Sequence, residues 1–112
     1  MNKREIMFSD WREKTEFTCI HPRFLWEYEY SKIDWYRMRH IVVSRIIERG
    51  WINDYYAAIN LYGGMDNFKK IITEIPHLSD KDMDFVCKLF DLNKEDLLCY
   101  TKKQLREAHL NS

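Results

Sequence analysis

An all-α architecture is expected of this chain: one compact domain of five or six short-to-medium helices arranged around a long amphipathic helix. Three observations carry that expectation. The 112 residues hold only three glycines and two prolines, few for the many turns of an all-β protein. Apolar residues make up 46% of the chain and aromatics 15%, enough for a packed core. The stretch from Ile33 to Gly64 shows apolar residues at spacings of three and four, the period of a helix with one buried face.

The first 24 residues read as an N-terminal arm and irregular segment, and 25–112 as the helical domain, together one globular unit. Met7 and Trp11, four apart with Phe8 beside them, fit one face of a frayed helical arm; Ser9 and Asp10 fit caps for a short helix starting at Trp11. Pro22 excludes a regular strand over the aromatic run from Phe17 to Tyr30. It fits the first turn of a short helix through Trp26, with His21 extended before it. Phe24, Leu25, Trp26 and Tyr28 are then expected on the core.

Asp34 suits the N-cap of the main helix, and Trp35, Met38, Val42 and Ile46 form its stripe, widened by Val43 and Ile47. Gly50 fits a left-handed C-terminal position, with late arginines against the helix dipole. Asn53 is the expected cap of a second helix through about Leu61, stopped by Gly63 and Gly64; its inward face holds Tyr56 and Ile59. Asp66 is the expected cap of a third, with Phe68, Ile71 and Ile72 inward and Pro76 ending it. Ser79, followed by Asp82, opens a helix over 80–90 whose inward face is Met83, Val86, Cys87 and Phe90. Asn93 caps a short helix containing Leu97 and Leu98, and Thr101 with Gln104 opens the last one.

Composition also narrows function. Eighteen basic residues balance eighteen acidic ones, and a neutral chain lacks the basic excess of a dedicated nucleic-acid binder. Cys19, Cys87 and Cys99 form no C-x-x-C pair, and neither a secretory leader nor a membrane-length apolar run is visible, so thiols in a cytoplasmic setting are expected. The histidines and cysteines match no common zinc spacing, and no phosphate-binding glycine pattern or EF-hand loop occurs. Catalytic, cofactor-binding and metal-ligating residues are therefore expected to be none. Protein recognition is the leading reading, because four tryptophans and seven tyrosines exceed what so small a core needs, and such residues concentrate at interfaces. The residues picked for it are Trp11, Arg37, Arg45, Arg49, Trp51, Tyr55 and Tyr62, whereas Trp26 and Trp35 are expected to pack inside. A DNA-binding regulator with a helix-turn-helix-like element is the alternative, resting on Arg37, Arg39, His40, Arg45 and Arg49 and on Lys102, Lys103 and Arg106. Ion pairs to the acidic Asp80 to Asp96 region are the simpler account of those charges, and association of like chains stays open.

From Leu25 to Tyr100 the chain resembles a family of small uncharacterised bacterial proteins. Trp26, Lys32-Ile33-Asp34, Arg45-Ile46-Ile47-Glu48-Arg49-Gly50, Tyr62-Gly63 and Leu78-Ser79 carry the likeness, and Glu27 stands where an Asp is common. Members are often encoded beside nucleotidyltransferase toxins of the abortive-infection type. The resemblance thus implies an antitoxin-like or accessory role, with a nucleotidyltransferase toxin as partner and no catalytic residues to carry over.

Overall fold

A computed structural model describes residues 8–17 and 19–110. The Met7 half of the expected N-terminal face lies outside them. Among the described residues there are five α-helices and no strand: α1 (Arg39–Arg49), α2 (Ile52–Leu61), α3 (Met65–Glu74), α4 (Asp80–Phe90) and α5 (Leu98–Leu110). Short 3₁₀ turns occupy Trp11–Glu13, Pro22–Leu25, Tyr30–Lys32 and Lys94–Asp96. The molecule is a slab, 19 Å along its shortest axis, which is about two helix layers. Both α1 and α3 are central: α1 packs on α2, α3, α4 and the Pro22–Leu25 turn, while α3 packs on α1, α2 and α5.

The main helix is shorter than its sequence pattern. Asp34 does not cap it: Met38 holds the cap position without a side-chain hydrogen bond, and Asp34 Oδ1 accepts the Arg37 amide at 3.1 Å in an irregular turn before regular helix begins at Arg39. Val42, Val43, Ile46 and Ile47 are buried as the stripe requires. Gly50 departs from expectation: its φ of −75° and ψ of 157° are extended, not left-handed. Glycine is needed there for space, because a Cβ would meet the Ile46 carbonyl oxygen at 2.6 Å.

Helix α2 starts two residues earlier than expected. Trp51 holds the cap position, and the Asp54 carboxylate, rather than Asn53, accepts the Trp51 amide at 2.8 Å. Gly63 (φ +88°) and Gly64 close it, with the Gly64 amide returning to the Ile59 carbonyl at 2.8 Å. Gly64 (φ +122°), not Asp66, then stands at the cap of α3; Asp66 lies in the first turn. Helix α4 matches its expected bounds, with Ser79 Oγ accepting the Asp82 amide at 3.1 Å. It ends on Asp91, a non-glycine residue at φ 56°, whose neighbour Leu92 returns an amide to the Cys87 carbonyl. Helix α5 begins at Leu98, three residues before the expected Thr101 box. Thr101 is interior and donates to the Leu97 carbonyl, and Gln104 donates to the Tyr100 hydroxyl.

The core runs from Phe8 to Cys99 and includes an aromatic cluster of Phe8, Tyr55, Phe68 and Phe90, with ring centroids 5.2 to 6.3 Å apart. The described part of the N-terminal segment therefore belongs to the core. Asn60 fastens it: its side-chain amide lies within hydrogen-bond reach of the Trp11, Lys14 and Phe17 carbonyls and of Tyr56 O. Asp10 accepts the Tyr56 hydroxyl at 2.5 Å.

Candidate functional site

The Pro22–Leu25 turn turns Phe24 and Leu25 inward, and with about three residues per turn the chain then faces outward at Trp26. Trp26 is 76% exposed and Tyr28 is exposed as well, which corrects the expectation that both line the core. Two ion pairs bolt this segment to the body. Arg45, on α1, donates to the Phe24 carbonyl at 2.8 Å and to the Glu27 carboxylate. Arg23 donates to Asp54 Oδ2 at 3.0 Å, the oxygen that also takes the Trp51 amide. Trp51 is 74% exposed, followed by the exposed Ile52. Trp26, Tyr28, Arg45, Arg49, Trp51 and Ile52 thus share the edge where α1 ends and α2 begins.

Charge on this edge is largely balanced. The Arg45 guanidinium holds the Glu27 carboxyl below its usual range, and Glu27 raises Arg45 in turn. Arg49 is exposed and, among the described residues, has no carboxylate at salt-bridge distance, though it lies near enough to Glu27 to help lower its pKa. Arg45 and Arg39 of α1 pair with Glu27 and Glu74, not with the acidic Asp80 to Asp96 region as expected; Lys103 of α5 does reach Asp80.

Of the seven residues picked from sequence, Arg45, Arg49 and Trp51 meet on this edge and four do not. Tyr55 is only 4% exposed, corrected to a core residue: α2 is covered on two sides, so its ring stacks on Phe8 and Phe85, and burial pushes its hydroxyl well above the ordinary range. Tyr62 is half-buried and donates to the Trp35 carbonyl at 2.9 Å. Trp11 is half-buried with its indole over Gly64, where a Cβ would meet the ring at 3.0 Å. Arg37 is exposed at the irregular start of α1, away from Gly50. Trp26 and Tyr28 were missed because apolar composition near a proline says a segment packs, whereas only the local turn says which ring is left outside.

Two clefts lie among the described residues. One, of about 200 Å³, lies between Tyr36, Arg39, Tyr62, Lys70 and Glu74. Arg39 stacks over the Tyr36 ring at 4.2 Å, and Glu74 receives both Arg39 (3.7 Å) and His40 (3.3 Å), which ties α1 to α3. The other, of about 380 Å³, includes Cys19, His21 and Tyr30. His21 Nδ1 accepts the Arg23 amide at 3.0 Å, so that nitrogen's lone pair is engaged by the backbone. Burial raises the Cys87 and Cys99 thiols, making them poor nucleophiles. Among the described residues no three His, Cys, Asp or Glu side chains are grouped to hold a metal ion, and no helix is long and apolar enough to cross a membrane.

Residues 20–72, a little under half of the chain, match the profile of a family of unknown function (DUF6922). No curated protein and no solved structure matches the chain. The matched segment is similar to that family across the Trp26–Trp51 edge and the helices that carry it.

Proposed function

We propose that this chain is a non-catalytic interaction module that receives a protein partner on the Trp26–Trp51 edge. The observation that carries the reading is two tryptophans left three-quarters exposed on one corner where Arg23 and Arg45 are already paired with carboxylates, Arg49 having none at salt-bridge distance among the described residues. Exposed Trp beside Arg is the composition of an interface hot spot. Paired arginines also favour a protein surface over a phosphate backbone, which draws on unpaired positive charge. The DNA-binding alternative is weakened by the same pairing, and by an α1 whose apolar face is taken up by the core.

The partner's class comes from the family resemblance: Trp26, Arg45 and Arg49, which are among the residues that carry that likeness, also stand on this edge, whereas Ile46 and Ile47 between the two arginines are core. A cytoplasmic, antitoxin-like role against a nucleotidyltransferase toxin follows. Co-expression with the product of an adjacent toxin gene, then affinity purification and a growth assay, tests it. A stable complex and relief of toxicity are expected. Trp26→Ala and Trp51→Ala are each expected to cost about 2 kcal/mol of binding, roughly 30-fold, if both are hot spots. No complex and unrelieved toxicity would overturn the reading.

A further inference from the structure

The charge of this chain is zero in sum but not in place. The segment Asp80 to Asp96 carries six acidic residues against three lysines, and Leu98 to Leu110 carries three basic residues against one glutamate. These two segments are neighbours at the end of the molecule remote in sequence from the Trp26–Trp51 edge, and Lys103 already reaches Asp80 within the chain.

Helix α5 is anchored only at its start. Leu97 and Cys99 are buried and Tyr100 half-buried, but from Thr101 to His109 every side chain except the partly covered Lys103 is exposed. Along α5, Leu98, Lys102, Leu105 and Arg106 lie on one side of the helix, at spacings of four, three and one. Leu105 is 66% exposed and Leu98 is exposed too. Lys102 and Arg106 have no carboxylate at salt-bridge distance among the described residues. Neither does Glu95, which is exposed on the acidic side beside Asp84 and its partner Lys94.

A thirteen-residue helix this little supported is marginal in water by itself. What it lacks is an acidic surface with room for two leucines, and the chain carries an acidic surface next door. A single copy cannot fold the outer face of α5 back onto its own acids, because the inner face is already turned toward them through Lys103. A two-fold axis beside α5 solves this, since it sets each basic helix on the other copy's acids.

We propose that the occupant of the outer α5 face is a second copy of this chain, in a reciprocal dimer. Lys102 and Arg106 of each copy meet the Asp84 and Glu95 side of the other, and Leu98 and Leu105 are buried between them. The contact uses none of the residues named on the Trp26–Trp51 edge and stands or falls independently of the function proposed for that edge.

Charge reversal in the 112-residue chain tests this by light scattering after size exclusion and by sedimentation. The wild type is expected at twice the 13.8 kDa chain mass, weakening as salt is raised. The Lys102→Glu/Arg106→Glu variant and the Asp84→Lys/Glu95→Lys variant are each expected to be monomeric alone, since each sets like charges together. Mixed in equal amounts, they are expected to recover a one-to-one dimer, because both contacts are then complementary. If circular dichroism shows that a reversal variant does not fold, the Lys102→Gln/Leu105→Gln variant takes its place, and its being monomeric is the expected result. A wild type monomeric at high concentration and low salt overturns the proposal. So does a dimer that survives these substitutions, or a mixture of folded variants that stays monomeric.

Discussion

At the scale of single residues, Asn60 is the one on which most depends for its size. Its two amide hydrogens have carbonyls of three N-terminal residues and of Tyr56 within reach, so one side chain ties an irregular segment to the core. The Trp11 and Lys14 carbonyls also accept the Lys14 and Phe17 amides, so what Asn60 adds is the net worth of its own hydrogen bonds, about 1 kcal/mol. Asn60→Ala is therefore expected to lower stability by about that amount in urea unfolding, and to speed hydrogen exchange selectively over residues 8–17. Uniform loss of protection across all helices would show instead that Asn60 acts only on the global fold. Nothing in the sequence marks Asn60: an asparagine late in a helix reads as a solvated position, and its partners lie more than forty residues away. Trp26 shows the same limit from the other side, since its size argues for burial and only the turn before it decides otherwise.

At the scale of elements, legibility tracks how local the determining interactions are. Helix α4 was readable at both ends of its bounds because Ser79 and the buried Met83, Val86 and Phe90 lie within a dozen residues. The case of α5 is the reverse. Thr101 and Gln104 have the spacing of a capping box, yet the helix begins three residues earlier, because burial of Leu97 and Cys99 fixes the backbone there and helical geometry extends outward from that anchor. The start of α2 was misplaced for a similar reason: Asp54 accepts the Trp51 amide while holding Arg23, and that tertiary partner could not be read locally. The candidate edge was legible to the extent that it lies on α1 and the corner after it. The half contributed by the Pro22–Leu25 turn was not. The Ser79 cap gives this scale its test. Ser79→Ala is expected to cost about 1 kcal/mol, while Ser79→Asp, which keeps an acceptor and adds a charge favourable to the helix dipole, is expected to retain stability. Equal loss from both in thermal or urea unfolding would show that the cap hydrogen bond at Asp82 is not what starts α4.

At the scale of the whole molecule, the tyrosines make the fold sensitive to alkali. Tyr56 donates its hydroxyl to the Asp10 carboxylate, and that bond, with a contribution from burial, pushes its pKa up to about 12. Tyr55 and Tyr62 are raised further, chiefly by burial. In the unfolded chain each titrates near 10. A group that ionises more readily when unfolded favours the folded state while it is protonated. The stabilisation is therefore complete below about pH 10, where both states hold the proton. Between the unfolded value and the raised folded one the unfolded chain binds fewer protons, so stability falls as pH rises. The three rings join the N-terminal segment, α2 and the start of α1, so their losses fall on one cooperative unit. The urea midpoint is expected to be flat through neutral pH and to decline above about pH 10. Tyrosinate absorbance should show exposed tyrosines ionising first and the buried ones together with unfolding. In Tyr56→Phe the decline is expected to be shallower, because one of the raised protons is gone, at the cost of the Asp10 bond at neutral pH. A midpoint independent of pH up to 12, or a Tyr56→Phe curve parallel to the wild type, would mean that these hydroxyls do not couple ionisation to folding.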